Sequence, residues 1–162
     1  MIIHVPNKNT LIIDDFKFRC CIGKKGLNFN KREGDFSTPK GLFNLKKLYF
    51  RKDRVGIPKC KIDKKVIKKN MAWCDDPSHK KYNEEIKTLN KNLKENFHRK
   101  DHKYDYIISI SYNKQKIPGK GSAVFIHLTD NYKPTSGCVA LKKKDFEILL
   151  KLIDKKTKIK IG

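Results

Sequence analysis

No hydrophobic run in this chain reaches the length of about 20 residues that a membrane crossing needs. The opening Met1-Ile2-Ile3-His4-Val5-Pro6 also lacks the basic segment and long apolar stretch of a secretory leader. No membrane partner is expected. The expected location is the cytoplasm, with the periplasm as the alternative if a leader has been removed. Cysteines number five (Cys20, Cys21, Cys60, Cys74 and Cys138), an odd count with no Cys-x-x-Cys pair. That argues against a disulfide framework and against a zinc finger. Asp75-Asp76 and the His98/His102 pair lack the further ligands a metal requires, so no metal is expected. Gly119-Lys120-Gly121 is too short and too late in the chain for a dinucleotide fingerprint. There is no internal repeat. Strands and helices do not alternate, which argues against a parallel βαβ sheet.

Arginine and acidic residues are also few. Of 39 cationic residues only Arg19, Arg32, Arg51, Arg54 and Arg99 are arginines, and 17 acidic residues leave a net charge of +22. Such charge attracts phosphate backbones. The lysines, however, are scattered along the whole chain. They form neither a basic tail nor a Gly/aromatic RNA-binding motif. A solvated lysine surface is favoured over a dedicated nucleic-acid site, and no specific nucleic-acid partner is expected. The same surface would attract an anionic peptide.

What is present points to a folded, mostly extended chain. Its 162 residues suffice for one domain, taken as 1–162, with one proper core. Aromatic and β-branched residues are too plentiful for global disorder. Ile2–Val5 and Thr10–Ile13 flank the turn cluster Pro6-Asn7-Lys8-Asn9 and read as a hairpin. Phe16–Ile22, Gly41–Phe50, Tyr106–Tyr112, Ser122–His127 and Thr157–Ile161 read as further strands. Residues 51–81, punctuated by Gly56 and Pro58, read as irregular. Ile86, Leu89, Leu93 and Phe97 recur at helical spacing and predict a helix over about 83–97. Phe146, Leu149, Leu150 and Ile153 predict another over about 143–154. The fold class expected is mainly β, a small sandwich or barrel with peripheral helices.

One stretch organises the rest, Val124-Phe125-Ile126-His127 through Thr135-Ser136-Gly137-Cys138-Val139-Ala140-Leu141. An apolar run ends on a histidine, a polar loop follows, and a cysteine opens a second apolar run. This arrangement brings together a thiol and a base that takes its proton. Gly137 allows a tight bend beside the sulfur. Backbone N–H groups at Gly137 and Cys138 can face a developing oxyanion. Plainer readings stand beside this one. A cysteine next to Val139 can be a small buried hydrophobe, and a histidine at a strand end can be structural. Trp73 reads equally as a pocket wall and as the buried anchor of a loop. Arg99 reads as a bidentate clamp for a carboxylate or as the ion-pair partner of Asp101 or Asp105.

These residues resemble the signature of the L,D-transpeptidase (YkuD-type) catalytic domain. That signature has a histidine at a strand end, a loop, and Ser/Thr-x-Gly-Cys before a hydrophobic residue; here these are His127 and Thr135-Ser136-Gly137-Cys138-Val139. Upstream, Phe36-Ser37-Thr38-Pro39-Lys40-Gly41-Leu42-Phe43 is similar to the family's Thr-Pro-x-Gly-x-Phe segment. The two motifs stand in the family's order, and the resemblance covers nearly the whole chain. Pro134-Thr135-Ser136-Gly137-Cys138-Val139-Ala140-Leu141 is most similar to a bacterial subgroup resembling cytoplasmic L,D-carboxypeptidases, and the segment around Trp73 resembles the same subgroup. Ser136 stands where many members have His, and Ala140 where many have Asn or Arg. The spacing from His127 to Cys138 is also short. These departures bear on substrate contacts and on the choice between transfer and hydrolysis.

The resemblance implies cysteine-dependent acyl transfer on peptidoglycan stem peptides, at the L,D bond before a terminal D-alanine. It implies Cys138 as nucleophile, His127 as base and Gly137 beside the oxyanion. Ser136, Thr135, Arg99 and Trp73 are the implied substrate contacts, and a backbone carbonyl can complete the triad. No cofactor is required. The partner is a stem peptide or muropeptide, met by a monomer. The lack of a leader points to soluble fragments and to water as acceptor, an L,D-carboxypeptidase of peptidoglycan recycling. An exported, cross-linking L,D-transpeptidase is the alternative. A basic nucleic-acid-binding module with an inert cysteine is the alternative of another class.

Overall fold

The computed structural model describes residues 1–89 and 94–162. The chain opens with the expected antiparallel hairpin of β1 (Ile2–Asn7) and β2 (Thr10–Ile13). Pro6 stays in the strand, and the turn shrinks to Lys8-Asn9. Then come β3 (Phe16–Cys21), the short β4 (Leu27–Asn28) and β5 (Thr38–Pro39), and the long β6 (Gly41–Phe50). One helical turn, α1 (Lys52–Val55), precedes β7 (Asp63–Val66), β8 (Met71–Cys74), β9 (Glu85–Lys87) and β10 (Lys94–Asn96). The C-terminal part holds β11 (Tyr106–Ile110), β12 (Phe125–Leu128), β13 (Val139–Leu141), α2 (Lys143–Leu152) and β14 (Lys158–Ile161).

The main sheet closes on itself as a barrel. Its order is β11-β12-β13-β3-β2-β1-β14-β6, and β6 returns to pair with β11. Strand β6 can do this because it is 10 residues long. Gly41–Asn44 pair with β14, and Leu45–Phe50 lie along β11. Closure leaves fewer unpaired strand edges. Alternation sets the inside: in β14, Ile159 and Ile161 are buried while Lys158 and Lys160 face solvent. Ile3, Val5, Leu11, Ile13 and Leu48 fill the interior with them. The predicted C-terminal helix is α2. It buries Phe146, Leu149 and Leu150 from one face, and Phe146 stacks on Tyr106 with ring centroids 5.3 Å apart. Each such side chain contributes about 1.5–3 kcal/mol of burial.

Strands β11 and β12 are buried at every residue, because a second layer covers their outer face. Ile108, Ile110, Ile126 and Leu128 point into the barrel. Ile107 and Phe125 point the other way, into a separate cluster with Tyr49, Met71, Phe97 and Tyr104. That cluster lies under the small antiparallel sheet β10-β8-β9. Near-continuous apolar runs, interrupted here only by Ser109 and His127, are what a strand covered on both faces requires.

Two expectations are corrected here. The helix over 83–97 is absent at both ends of that span: β9 and β10 pair antiparallel with the two edges of β8. Phe97 is fully buried but Leu89 is 80% exposed, so the apparent stripe is not one face; Leu93 lies outside the described residues. Asn83, Thr88, Asn90, Asn92 and Asn96 are poor helix formers, and β8 offers a ladder instead. Residues 51–81 are also more ordered than expected, since they contain α1, β7 and β8. Among the described residues no helix is long and apolar enough to cross a membrane.

Candidate active site

His127 owes its position to strand parity. In β12 the side chains of Ile126 and Leu128 enter the barrel, so those of Phe125 and His127 stand on the outer face. Strand β13 runs parallel to β12 with His127 opposite Ala140 and Ile126 opposite Val139. Cys138 immediately precedes β13 and so falls beside Phe125, on the face that carries the histidine. The Phe125 N–H donates to Cys138 Sγ at 3.3 Å, and the thiol donates to the Ala123 carbonyl at 3.2 Å. His127 and Cys138 both line one cavity of about 420 Å³, between the barrel wall and the small sheet.

The turn before the cysteine is held on several sides. Thr135 Oγ1 donates to the Cys138 carbonyl at 2.6 Å and accepts the Gly137 N–H at 3.1 Å. Thr135 also pairs with the end of β3: its N–H reaches the Ile22 carbonyl at 2.9 Å, and its carbonyl accepts from Lys24 at 2.9 Å. Here the two sequence motifs meet. Gly137 has φ +148°, and a Cβ there would sit 2.8 Å from the Ser37 carbonyl oxygen. Thr38 is wholly buried, and its hydroxyl accepts the Gly23 N–H at 2.8 Å. The Gly137 N–H, expected as an oxyanion donor, is occupied by Thr135. Among the described residues no acceptor is placed on the N–H groups of Ser136 and Cys138.

The imidazole is fixed in one tautomer. His127 Nδ1 lies 2.8 Å from the Leu128 carbonyl oxygen. A carbonyl can only accept, so Nδ1 carries the proton and Nε2 keeps its lone pair. This backbone carbonyl is the orienting partner that the spacing of the sequence does not reveal. Tyr104 packs its ring against the imidazole at 5.2 Å. Burial holds the imidazole down to about 4; the bond to Leu128 opposes this, and the charges of Arg99 and Lys103 add to it. Burial likewise pushes the Cys138 thiol up to about 12, against the pull of the Phe125 N–H. At neutral pH the resting pair is a neutral thiol and a neutral imidazole. Burial also raises Cys20, to about 12, so the thiol's acidity does not single out Cys138. The cavity and the histidine do.

The model of the L,D-transpeptidase catalytic domain (YkuD) matches residues 2–161. The chain belongs to this family. No curated protein and no solved structure gives a match. Membership in the L,D-transpeptidase family makes the protein an enzyme of cysteine-dependent chemistry on peptidoglycan.

The remaining predicted contacts of this L,D-transpeptidase domain divide. Thr135, Ser136 and Arg99 line the cavity with His127 and Cys138. The Arg99 guanidinium is already forked onto Asp101, with Nε to Oδ1 at 3.0 Å and Nη2 to Oδ2 at 2.7 Å. It also lies over the Tyr104 ring at 5.0 Å and 3.6 Å from Glu95. Arg99 is thus an ion-pair partner of Asp101, as one reading has it, and it stands on the cavity wall. Trp73 does not line the cavity. Its ring packs on Phe97 and Phe125, and its Nε1–H donates to Asn83 Oδ1 at 2.8 Å. The same Asn83 oxygen accepts the Ala123 N–H at 3.2 Å. Ala123 holds a left-handed φ of +53°, and its carbonyl receives the thiol. Trp73 is therefore linked to the thiol from behind, through Asn83 and Ala123. Composition and spacing do not mark Lys31, Glu33, Asp75, Glu95 and Lys103, which also line the cavity. The alternation Lys31-x-Glu33-x-Asp35 just ahead of Ser37-Thr38-Pro39 is the trace they leave in the sequence.

Proposed function

We propose that this enzyme is an L,D-carboxypeptidase of peptidoglycan stem peptides, with Cys138 as nucleophile and His127 as general base. The observation that carries the reading is the shared cavity, with the imidazole locked so that Nε2 is its free acceptor. As Cys138 Sγ forms its bond to the carbonyl carbon of the L-configured centre, the thiol proton passes to Nε2 and the carbonyl electrons move to oxygen. Because thiol and imidazole rest neutral, proton transfer accompanies attack instead of preceding it. The Ser136 and Cys138 N–H groups are the backbone donors left for that oxyanion. Collapse breaks the C–N bond, and D-alanine leaves with the proton held by His127. Water, deprotonated by the same Nε2, then attacks the thioester and releases the tripeptide acid and the thiol.

One feature supports water over an amine acceptor. The connection from His127 to Cys138 is short and tied down: the Tyr132 N–H bonds Thr129 Oγ1 at 2.8 Å, Cys21 bonds the Lys133 carbonyl at 3.3 Å, and Thr135 is pinned to the end of β3. This loop leaves little chain to fold over a second peptide. Cationic Arg99, Lys103 and Lys133 on the wall suit a donor that ends in a free carboxylate. Incubation with a tetrapeptide should release D-alanine and leave the tripeptide, followed by mass spectrometry. A pentapeptide ending in two D-residues should be cut poorly. Cross-linked dimers outrunning the tripeptide would replace this reading with transpeptidation.

A further inference from the structure

Lys31 is a lysine the mechanism above does not use, and it is buried almost completely, with 4% of its side chain exposed. Its path is cleared by two glycines. A Cβ on Gly121, at φ +115°, would lie 3.3 Å from Lys31 Cε, and one on Gly137 would lie 3.1 Å from Nζ. The ammonium thus ends against the turn that presents Cys138, and it lines the same cavity. One carboxylate holds it there: Nζ reaches Asp35 Oδ1 at 3.0 Å. Asp35 is itself fixed by the N–H groups of Arg32 at 2.8 Å and Ser37 at 2.9 Å, and by the Ser37 hydroxyl at 2.8 Å. Burial opposes the Asp35 charge, but these donors outweigh it and keep the carboxyl ionised well below the usual range. A buried ammonium is costly unless its charge is matched.

We propose that Lys31, anchored by Asp35, is the fixed cation of this site and stabilises the negative charge that develops at Cys138 and its acyl adduct. The proposal rests on Cys138 being the nucleophile. It accounts for a turn whose Gly137 N–H is spent on Thr135 and so leaves fewer backbone donors for the anion. A charge fixed in a water-poor site needs no reorganisation as the reaction proceeds. The other titratable groups whose fields reach Cys138 are Glu95, which opposes the thiolate, and Cys21 and Tyr104; His127 shares the cavity.

The test compares wild type, Lys31→Arg, Lys31→Met and the double variant Lys31→Met with Asp35→Asn. The double variant removes both charges and orphans neither. Iodoacetamide, which is uncharged, reports the thiolate fraction of Cys138 across pH 7 to 10, with thermal melts as the check on folding. Loss of the cation should slow alkylation roughly tenfold at each pH, as expected for one nearby charge. It should lower kcat by a factor of about 10 to 100 with KM little changed. Lys31→Arg should recover most of both. If the folded double variant alkylates and turns over like wild type, or if Lys31→Arg is as impaired as Lys31→Met, the proposal fails. Alkylation needs no peptide, so a wild-type enzyme that released no D-alanine would sink the carboxypeptidase reading without touching this one.

Discussion

Replacing His127 with glutamine should remove part of the protein's acid sensitivity. The native imidazole is held at about 4, against an ordinary value of 6.5. Between these values the unfolded chain binds a proton that the native state refuses. Stability then falls as pH falls, and the loss begins below about 6.5. One pH unit of such a difference is worth about 1.4 kcal/mol. Over the fall from pH 7.5 to 5 the penalty reaches about 2 kcal/mol, or some 4–8 °C in melting temperature for a chain of this size. Glutamine can keep a donor towards the Leu128 carbonyl but cannot titrate. Urea melts of both proteins at the two pH values isolate the effect. Carboxylates such as Asp35 titrate from an ordinary 3.8 downwards, and they act alike in both proteins. Wild type should lose about 2 kcal/mol more than His127→Gln. Equal losses would show that the imidazole is not buried in its neutral form, and the tautomer argument would fall with it.

Cys138→Ala should abolish D-alanine release while the melt stays close to wild type, and His127→Ala should cost at least roughly a hundredfold in rate; full turnover in either would end the assignment. Wild type should also lose stability above pH 9 relative to Cys138→Ala. The native thiol is raised to about 12 from an ordinary 9.0, so its contribution is complete below 9 and fades through 12. Gly137→Ala places a methyl 2.8 Å from the Ser37 carbonyl oxygen and should cost about 1–3 kcal/mol in urea melts. Nucleic-acid binding, if measured by fluorescence anisotropy, should be insensitive to sequence and collapse steeply with added salt. A specific complex that survives physiological salt would overturn the surface reading of the lysines.

The barrel was legible where side chains alternate or repeat on one face. Lys158-Ile159-Lys160-Ile161 and the spacing of Phe146, Leu149 and Leu150 each have a single reading, and both hold. The helix over 83–97 rested on the same kind of spacing and failed. Four apolar residues at helical intervals fix a face only if the intervening residues favour a helix, and here many are asparagine. What decided the segment was the edge of β8, supplied from elsewhere in the chain. Closure of the barrel was equally out of reach of local pattern. It depends on β6 being long enough to serve β14 with one half and β11 with the other.

For the site, the meeting of His127 and Cys138 in one cavity was legible because both lie on one short stretch with a fixed parity. Ile126 and Leu128 must enter the barrel, so His127 cannot, and the parallel register of β13 sets the cysteine beside Phe125, on the face that carries the histidine. The supporting groups were not legible, for the same physical reason reversed. Lys31, Asn83 and Ala123 reach the site from other segments of the chain, and the Leu128 carbonyl, though next to His127 in sequence, is a backbone atom that carries no residue identity. Trp73 shows the consequence. Its position beside Cys74 and two acids suggested a pocket wall, yet its indole serves Asn83, which holds the left-handed Ala123 whose carbonyl meets the thiol. A change of Trp73 should therefore disturb the reactivity of Cys138 without altering what the cavity wall offers a substrate.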